Sequence, residues 1–124
     1  MKILVVDDSA AMRKIIGAAL AKTSYGKERI VEASNGKEAF DKFVDDTFGL
    51  ILSDWNMPEM DGLEFVSRVR QVDKRVKIIM ITTEGTFGKM EEALEAGLDG
   101  YVVKPFTPEA LERKINSVLK PGKR

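Results

Sequence analysis

The sequence contains neither cysteine nor histidine. Without cysteine, the chain can form no disulfide bond and offers no thiolate for catalysis or for binding a metal. Without histidine, it has no imidazole that could act as a general base, complete a Ser-His-Asp triad or bind a metal. Carboxylates, hydroxyls and amines are therefore the groups left for any chemistry.

The sequence also lacks an excess of either charge and a long apolar run. Its 20 basic and 20 acidic residues cancel, whereas nucleic-acid binding calls for a basic face. Crossing a bilayer needs about 20 consecutive apolar residues, and the strand-like run that follows Met1 is too short for a signal peptide. We therefore expect a single cytoplasmic domain, residues 1–124, with no nucleic-acid or membrane partner.

Aliphatic runs alternate with amphipathic periods along the chain. The runs predict strands at 2–6, 29–33, 50–54, 77–81 and 100–103. Apolar residues spaced three and four apart predict helices at about 9–20, 39–44, 63–69, 85–96 and 108–119. This alternation predicts an α/β fold, in which a parallel five-stranded sheet carries helices on both faces.

Capping residues and apolar stripes refine the predicted helices. The proposed N-caps are Asp8 or Ser9, Asp61 and Thr107, and Gly97 ends the fourth helix. The buried stripes are predicted to include Ile15, Val44 and Leu94. Phe87 and Met90 fit a core position and a partner-facing position equally well, whereas Trp55 is expected to be an exposed loop aromatic without a necessary role.

Four of the predicted strands end in polar side chains. These residues are Asp7 and Asp8, Asp54, Thr82 and Thr83, and Lys104. Parallel strands place their carboxyl ends at one edge of the sheet, where open α/β sheets bind ligands. Asp7 and Asp8 could instead only cap a helix and Lys104 could be a plain surface lysine, but the coincidence across four strands favours a shared site.

The charges of this set suggest its chemistry. Three carboxylates held close together would repel one another unless a cation joined them. A donor set made only of oxygen suits Mg²⁺ or Mn²⁺. With the Lys104 ammonium and the Thr82 hydroxyl, the set could hold a phosphoryl group, so Asp54, on the central strand, is the predicted nucleophile and would form an aspartyl phosphate.

Several motifs resemble those of the response-regulator receiver domain family, and most closely its single-domain chemotaxis regulators of the CheY type. The resemblance spans essentially the whole chain, and the motifs that carry it are Val5-Val6-Asp7-Asp8, Ser53-Asp54-Trp55-Asn56-Met57-Pro58, Met60-Asp61-Gly62, Thr82 and Gly100-Tyr101-Val102-Val103-Lys104-Pro105-Phe106. It implies a flavodoxin-like (βα)5 fold with strand order 2-1-3-4-5.

The resemblance also implies roles for individual residues. Asp54 would accept a phosphoryl group from a histidine kinase or a small phosphodonor, and Lys104 would contact that group. The Lys104–Pro105 peptide bond would be cis. Mg²⁺ would be bound by Asp8, Asp54 and the backbone carbonyl of Asn56, with Asp7 acting through a water molecule. Thr82 and Tyr101 would form the switch, and Asn56 and Glu84 would set the rate of dephosphorylation.

The implied output surface is the fourth helix, the fifth strand and the fifth helix, centred on Phe87, Met90, Tyr101 and Lys114. Its partner would be a flagellar motor switch protein, or alternatively a phosphorelay or kinase-associated protein, and a phosphatase could reset the monomeric protein. Three residues depart from the chemotaxis pattern: Thr83, which could compete with Thr82, and Gly85 and Gly88, which weaken the start of the fourth helix.

Other functional classes fit less well. We expect self-phosphorylation and self-dephosphorylation rather than turnover of an external substrate. A haloacid-dehalogenase-like phosphatase carries its nucleophile after the first strand with a second aspartate two residues on, where this chain has Asn56 after the third strand. A flavodoxin-like flavin carrier would have its phosphate repelled by Asp7 and Asp8. A binding module that no longer uses phosphate would not need the complete set of acids, threonine and lysine.

Overall fold

The protein, described here from a computed structural model, is an alternating α/β domain. The structure describes residues 1–83 and 87–119, of which 87–89 are described as backbone only. The strands are β1 (Lys2–Val6), β2 (Arg29–Ala33), β3 (Leu50–Asp54), β4 (Lys77–Thr82) and β5 (Gly100–Val103). The helices are α1 (Ala10–Ala21), α2 (Gly36–Val44), α3 (Gly62–Val72), α4 (Phe87–Ala96) and α5 (Pro108–Leu119).

The five strands form one parallel sheet in the order β2-β1-β3-β4-β5. This confirms the predicted fold and strand order. The central strands β1, β3 and β4 are almost continuously aliphatic because both of their faces are covered. β2 lies at an edge and is partly exposed, which explains its more polar sequence.

The helices pack against the two faces of the sheet to form two cores. On one face, α1 and α5 contribute their buried residues Ile16, Ala19, Leu20, Leu111, Ile115 and Val118. On the other face, α2, α3 and α4 contribute Ala39, Phe43, Phe65, Val66, Val69, Met90 and Ala93. Among the described residues, no helix has the length and apolar character that crossing a membrane requires.

The helix boundaries follow the capping chemistry in the sequence. Ser9, rather than Asp8, caps α1, because its Oγ accepts a hydrogen bond from the Met12 N–H at 3.1 Å. Asp61 caps α3 and Thr107 caps α5 in the same way, as predicted. Gly97 ends α4 with a φ of +119°, a conformation that glycine adopts without steric penalty.

Four predicted burial states are wrong. Ile15, Val44 and Leu94 are 53%, 53% and 43% exposed, because each apolar stripe is wider than the strip of helix that contacts the sheet. Trp55 was expected to be exposed, but it is buried. Gly62 makes room for its indole ring: a Cβ atom at Gly62 would lie only 2.7 Å from Trp55 Cε3.

Candidate functional site

The strand register brings the predicted site residues to one edge of the sheet. Val6 of β1 is paired with Ser53 of β3, so Asp7 and Asp54 follow at the same level. Thr82 ends β4 opposite Val103 of β5, so Lys104 emerges beside it. The parallel topology is therefore what gathers side chains from four separate parts of the chain.

Three carboxylates meet at this edge. Asp7, Asp8 and Asp54 each offer an oxygen, and these oxygens lie within 4.8 Å of one another. Asp7 is 2% exposed and Asp54 is 8% exposed, whereas Asp8 faces solvent. Like charges held this close favour the binding of a cation, and one side of the cluster is open for it to enter.

The oxygens of the cluster fit a hard divalent metal ion. Among the described residues, Asp7 Oδ2 is the one buried side-chain oxygen or nitrogen that has no hydrogen-bond partner. A buried carboxylate oxygen is stable only with a compensating partner, and Mg²⁺ prefers oxygen ligands of this kind. Asp7, Asp8 and Asp54 are thus suited to hold Mg²⁺, directly or through a water molecule.

Lys104 places a positive charge at the edge of the cluster. Its Nζ lies 3.3 Å from Asp54 Oδ1 and 3.7 Å from Asp7 Oδ2. The backbone is fixed as well, because the Lys104 N–H donates to the carbonyl oxygen of Thr82 at 2.6 Å. The Lys104–Pro105 peptide bond is cis, as predicted. The ammonium group is therefore held next to the carboxylate that was predicted to react.

The surroundings of Asp54 make its charge costly when no metal is bound. Burial raises the pKa of Asp54 above its ordinary value; Lys104 opposes that rise and the negative charge of Asp7 adds to it. Asp54 Oδ1 accepts a hydrogen bond from the Trp55 N–H at 2.9 Å, which orients the carboxylate. A second positive charge near Asp54 would relieve this unfavourable desolvation.

The two threonines at the end of β4 have different environments. Thr82 is buried, and its Oγ1 donates to the carbonyl oxygen of Thr83 at 3.3 Å. Thr83 is exposed and lines an apolar groove of about 390 Å³ beside the site, together with Lys104, Met12, Ile15, Pro105 and Phe106. The predicted competition between the two hydroxyls stays a prediction.

Arg13 lies beside the acidic cluster, a contact that the sequence analysis missed. Its Nη1 donates to the backbone carbonyl of Asp7 at 2.7 Å, and its Nε pairs with Glu32 Oε1 at 2.7 Å. An arginine on the first turns of a surface helix carries no sequence signal that distinguishes it from a solvated side chain. Only the packing of α1 beside the end of β1 reveals the contact.

The loop after β3 contains two further predicted positions. Asn56 is exposed, two residues after Asp54, and the role of its carbonyl as a metal ligand stays a prediction. Asp61 acts as an N-cap, because its Oδ1 accepts a hydrogen bond from the Glu64 N–H at 2.9 Å, as predicted. Glu84 and Gly85 lie outside the described residues, as do the side chain of Phe87 and the surroundings of Gly88.

The predicted output surface is only partly covered by the described residues. Tyr101 and Lys114 are half-buried and line one groove of about 320 Å³ between β5 and α5. Met90 is 2% exposed and belongs to the core under α4, which is the first of the two positions predicted for it. Its part in a partner surface stays a prediction. Met90 and Ala93 of α4 pack in this core, whereas Leu94 of the same helix is 43% exposed.

Comparison with known proteins agrees with this geometry. The family profile described as "Response regulator receiver domain" matches residues 3–116. The chain is 47% identical over 122 residues to the chemotaxis protein CheY1 of Helicobacter pylori, covering 96% of this chain and 97% of that one. It is 46% identical over 125 residues to a chemotaxis protein CheY homolog of Campylobacter jejuni, with 98% and 95% coverage.

A solved structure gives the same result for the fold. The chemotaxis response regulator CheY4 of Vibrio cholerae superposes with a TM-score of 0.84 at 38% sequence identity. The match covers 94% of this chain and 97% of CheY4. Sequence and fold therefore point to the same group of relatives over nearly the full length of each chain.

Proposed function

Because this chain belongs to the response regulator receiver domain family and resembles CheY proteins, we propose that it is a phosphorylation-controlled signalling protein. Asp54 is the residue that accepts the phosphoryl group. The observation that carries this proposal is the arrangement of Asp7, Asp8 and Asp54 around one point, with the ammonium of Lys104 3.3 Å from Asp54. This arrangement suits a transferable phosphoryl group better than any other ligand considered.

The proposed step is a direct displacement at phosphorus. A carboxylate oxygen of Asp54 forms a bond to phosphorus, while the bond from phosphorus to the donor's leaving atom breaks and its electron pair leaves with that atom. Lys104 neutralises charge on the phosphoryl oxygens, and the Thr82 hydroxyl can donate a hydrogen bond to one of them. Bound Mg²⁺, held by Asp7, Asp8, Asp54 and the Asn56 carbonyl, would supply further neutralisation of that charge.

The protein would act as a switch rather than as an enzyme with an external substrate. Hydrolysis of its own aspartyl phosphate ends the signal, and a phosphatase could accelerate this reaction. A histidine kinase is the proposed physiological donor, by similarity to the family. The phosphorylated state would then alter a surface that a partner protein recognises.

The proposed output is chemotaxis through a flagellar motor switch protein, because the relatives named above are chemotaxis proteins. The groove lined by Tyr101 and Lys114 is the described part of the proposed binding surface. A phosphorelay or kinase-associated role is the alternative. Binding of a flagellar switch component to the phosphorylated form, but not to the unphosphorylated form, separates the two.

Phosphate incorporation from radiolabelled acetyl phosphate tests the assigned nucleophile. We expect wild-type protein to incorporate phosphate when Mg²⁺ is present and to incorporate none after chelation with EDTA. Asp54→Asn should abolish incorporation, because an amide oxygen is too weak a nucleophile to attack phosphorus.

Asp61→Asn is the matched control, since the same change in the same loop replaces one good N-cap residue by another. It should incorporate phosphate at close to the wild-type level. Wild-type incorporation by Asp54→Asn would contradict the assignment of Asp54, and incorporation that is unaffected by EDTA would contradict the requirement for a metal ion.

A further inference from the structure

The guanidinium group of Arg13 joins three elements of the fold next to the acidic cluster. Arg13 lies on α1, its Nη1 donates to the carbonyl oxygen at the end of β1 (Asp7), and its Nε pairs with Glu32 of β2. Both distances are 2.7 Å. The guanidinium group is planar and half-buried. Its two short contacts, one to the residue directly after β1 and one to β2, fix the side chain in one orientation.

The carbonyl that Arg13 holds belongs to the peptide group between Asp7 and Asp8. Because a peptide group is planar, the direction of its carbonyl also fixes the direction of the Asp8 N–H and the position of the Asp8 Cα atom. On the other side of Asp7, its own N–H donates to the carbonyl oxygen of Ala33 at 3.1 Å. Arg13 therefore completes the restraint of the backbone that carries both carboxylates.

The side chain of Asp7 is restrained in the same region. Its Oδ1 accepts a hydrogen bond from the Ser9 N–H at 2.9 Å, so Oδ2 is directed towards Lys104 and the other acids. Asp8 is exposed, and its place in the cluster depends on the backbone that supports it. Rotation of the Asp7–Asp8 peptide would move this carboxylate away from the other two.

We propose that Arg13 is a positioning residue for the metal-binding carboxylates, an inference that rests on the proposed function. By holding the Asp7–Asp8 peptide, it keeps the carboxylates close together before the cation binds. Arginine is required because its rigid fork donates to the carbonyl and to Glu32 at the same time, whereas a lysine ammonium is a flexible point charge.

A positioning role and a purely electrostatic role of Arg13 predict opposite changes in Mg²⁺ affinity when Arg13 is replaced. Removing a positive charge close to three carboxylates should tighten the binding of Mg²⁺ if charge alone matters. If Arg13 acts by positioning, its loss should weaken binding, because residues that orient metal ligands contribute about 10-fold to 100-fold in affinity. The sign of the change therefore distinguishes the two roles.

Titration of the metal-free protein with Mg²⁺ by isothermal calorimetry at fixed ionic strength tests the proposal. We expect Arg13→Met, which keeps the aliphatic stem, to raise the Kd for Mg²⁺ at least tenfold, and Arg13→Lys to give an intermediate value. Lys14→Met is the matched control: it removes the same charge from the next, exposed position of α1 and should leave the Kd unchanged or slightly lower. Circular dichroism in EDTA checks that each variant is folded.

A second measurement separates positioning from damage to the reaction itself. At saturating Mg²⁺, Arg13→Met should accept phosphate from acetyl phosphate at close to the wild-type rate, since the hydrogen bonds described for Arg13 go to the Asp7 carbonyl and to Glu32 and not to Asp54. Equal Mg²⁺ affinity in Arg13→Met and Lys14→Met would overturn the proposal, and so would wild-type affinity in Arg13→Lys, because a lysine cannot reproduce the arginine fork. Absence of Mg²⁺ binding in the wild type is a different result, which would contradict the proposed function instead.

Discussion

At the scale of single residues, the proposed phosphoacceptor Asp54 is a place where folding stability and the proposed function oppose each other. Asp54 is buried, a charge in that position is disfavoured, and Lys104 offsets the penalty only in part, because the pKa of Asp54 is still raised. The fold keeps an ionisable group where a neutral side chain of the same shape would be more stable. We interpret this cost as the consequence of holding a nucleophile ready for reaction.

Asp54→Asn should stabilise the metal-free protein at pH 7. The pKa of the Asp54 carboxyl group is higher in the folded protein than in the unfolded chain. Its ionisation therefore lowers the free energy of unfolding as the pH rises from the unfolded pKa, near 3.8, through the folded pKa. The variant should therefore unfold at a higher temperature than wild type at pH 7, and the difference should diminish as the pH falls towards 4. Thermal unfolding in EDTA at several pH values measures this.

Thermal unfolding of wild type and Asp54→Asn in the presence of Mg²⁺ provides the control. A ligand that binds only the folded state stabilises it by mass action, so wild type should gain more from Mg²⁺ than Asp54→Asn, which lacks one ligand. A metal-free Asp54→Asn protein that is less stable than wild type at pH 7 would show that the Lys104 pair outweighs the desolvation of Asp54.

At the scale of elements, the start of α2 is held by a set of short hydrogen bonds. Asn35 Oδ1 accepts a hydrogen bond from the Glu38 N–H at 2.7 Å, and Glu38 Oε1 in turn accepts from the N–H and the hydroxyl of Ser34, each at 2.7 Å. These hydrogen bonds from Ser34 lower the pKa of Glu38 to about 2, with a smaller contribution from Lys42. The ionised Glu38 carboxylate thus links the first turn of α2 to Ser34, the residue before the N-cap.

Glu38→Gln should destabilise the protein by up to about 1 kcal/mol at pH 7, because capping contributes about that much and partial exposure screens the charge. The contribution is fully present above the unfolded pKa of 4.5 and is lost as the pH falls through about 2. Urea unfolding from pH 7 down to about pH 2 should therefore show the stabilities of wild type and variant converging at the acidic end.

Asp41→Asn on the same helix is the matched control. Asp41 forms an exposed ion pair with Lys37 at 3.6 Å, and such pairs contribute little to stability. Its effect should be smaller than that of Glu38→Gln at pH 7. Equal effects of the two substitutions would mean that helix charge, rather than the Ser34 hydrogen bonds, accounts for the role of Glu38.

At the scale of the whole molecule, the two cores share the central strands. Ile3 and Val5 face one core while Leu4 and Val6 face the other, and all four side chains are fully buried. The amides of β1 and β3 should therefore exchange with solvent only on global unfolding, whereas those of the edge strand β2 should exchange through local opening. Hydrogen–deuterium exchange monitored by NMR measures this, and equal protection across the sheet would contradict it.

Much of the site could be predicted from the sequence because parallel topology leaves few alternatives. Once Asp7, Asp54, Thr82 and Lys104 are each placed at the carboxyl end of a strand, they must share an edge. Contacts between side chains that are distant in the sequence could not be predicted in this way. The burial of Trp55 depends on the missing side chain of Gly62, and the contact of Arg13 with Asp7 depends on how α1 packs.

The last turn of α3 lies beside Thr47 and Phe48, just before the start of β3, whereas Asp54 lies at the other end of that strand. Its final residue, Val72, is 58% exposed, and the chain contains no cysteine. A cysteine substituted at this position would be the sole thiol in the molecule. A dye or solid support joined to it would leave the edge that carries Asp54 facing free solution.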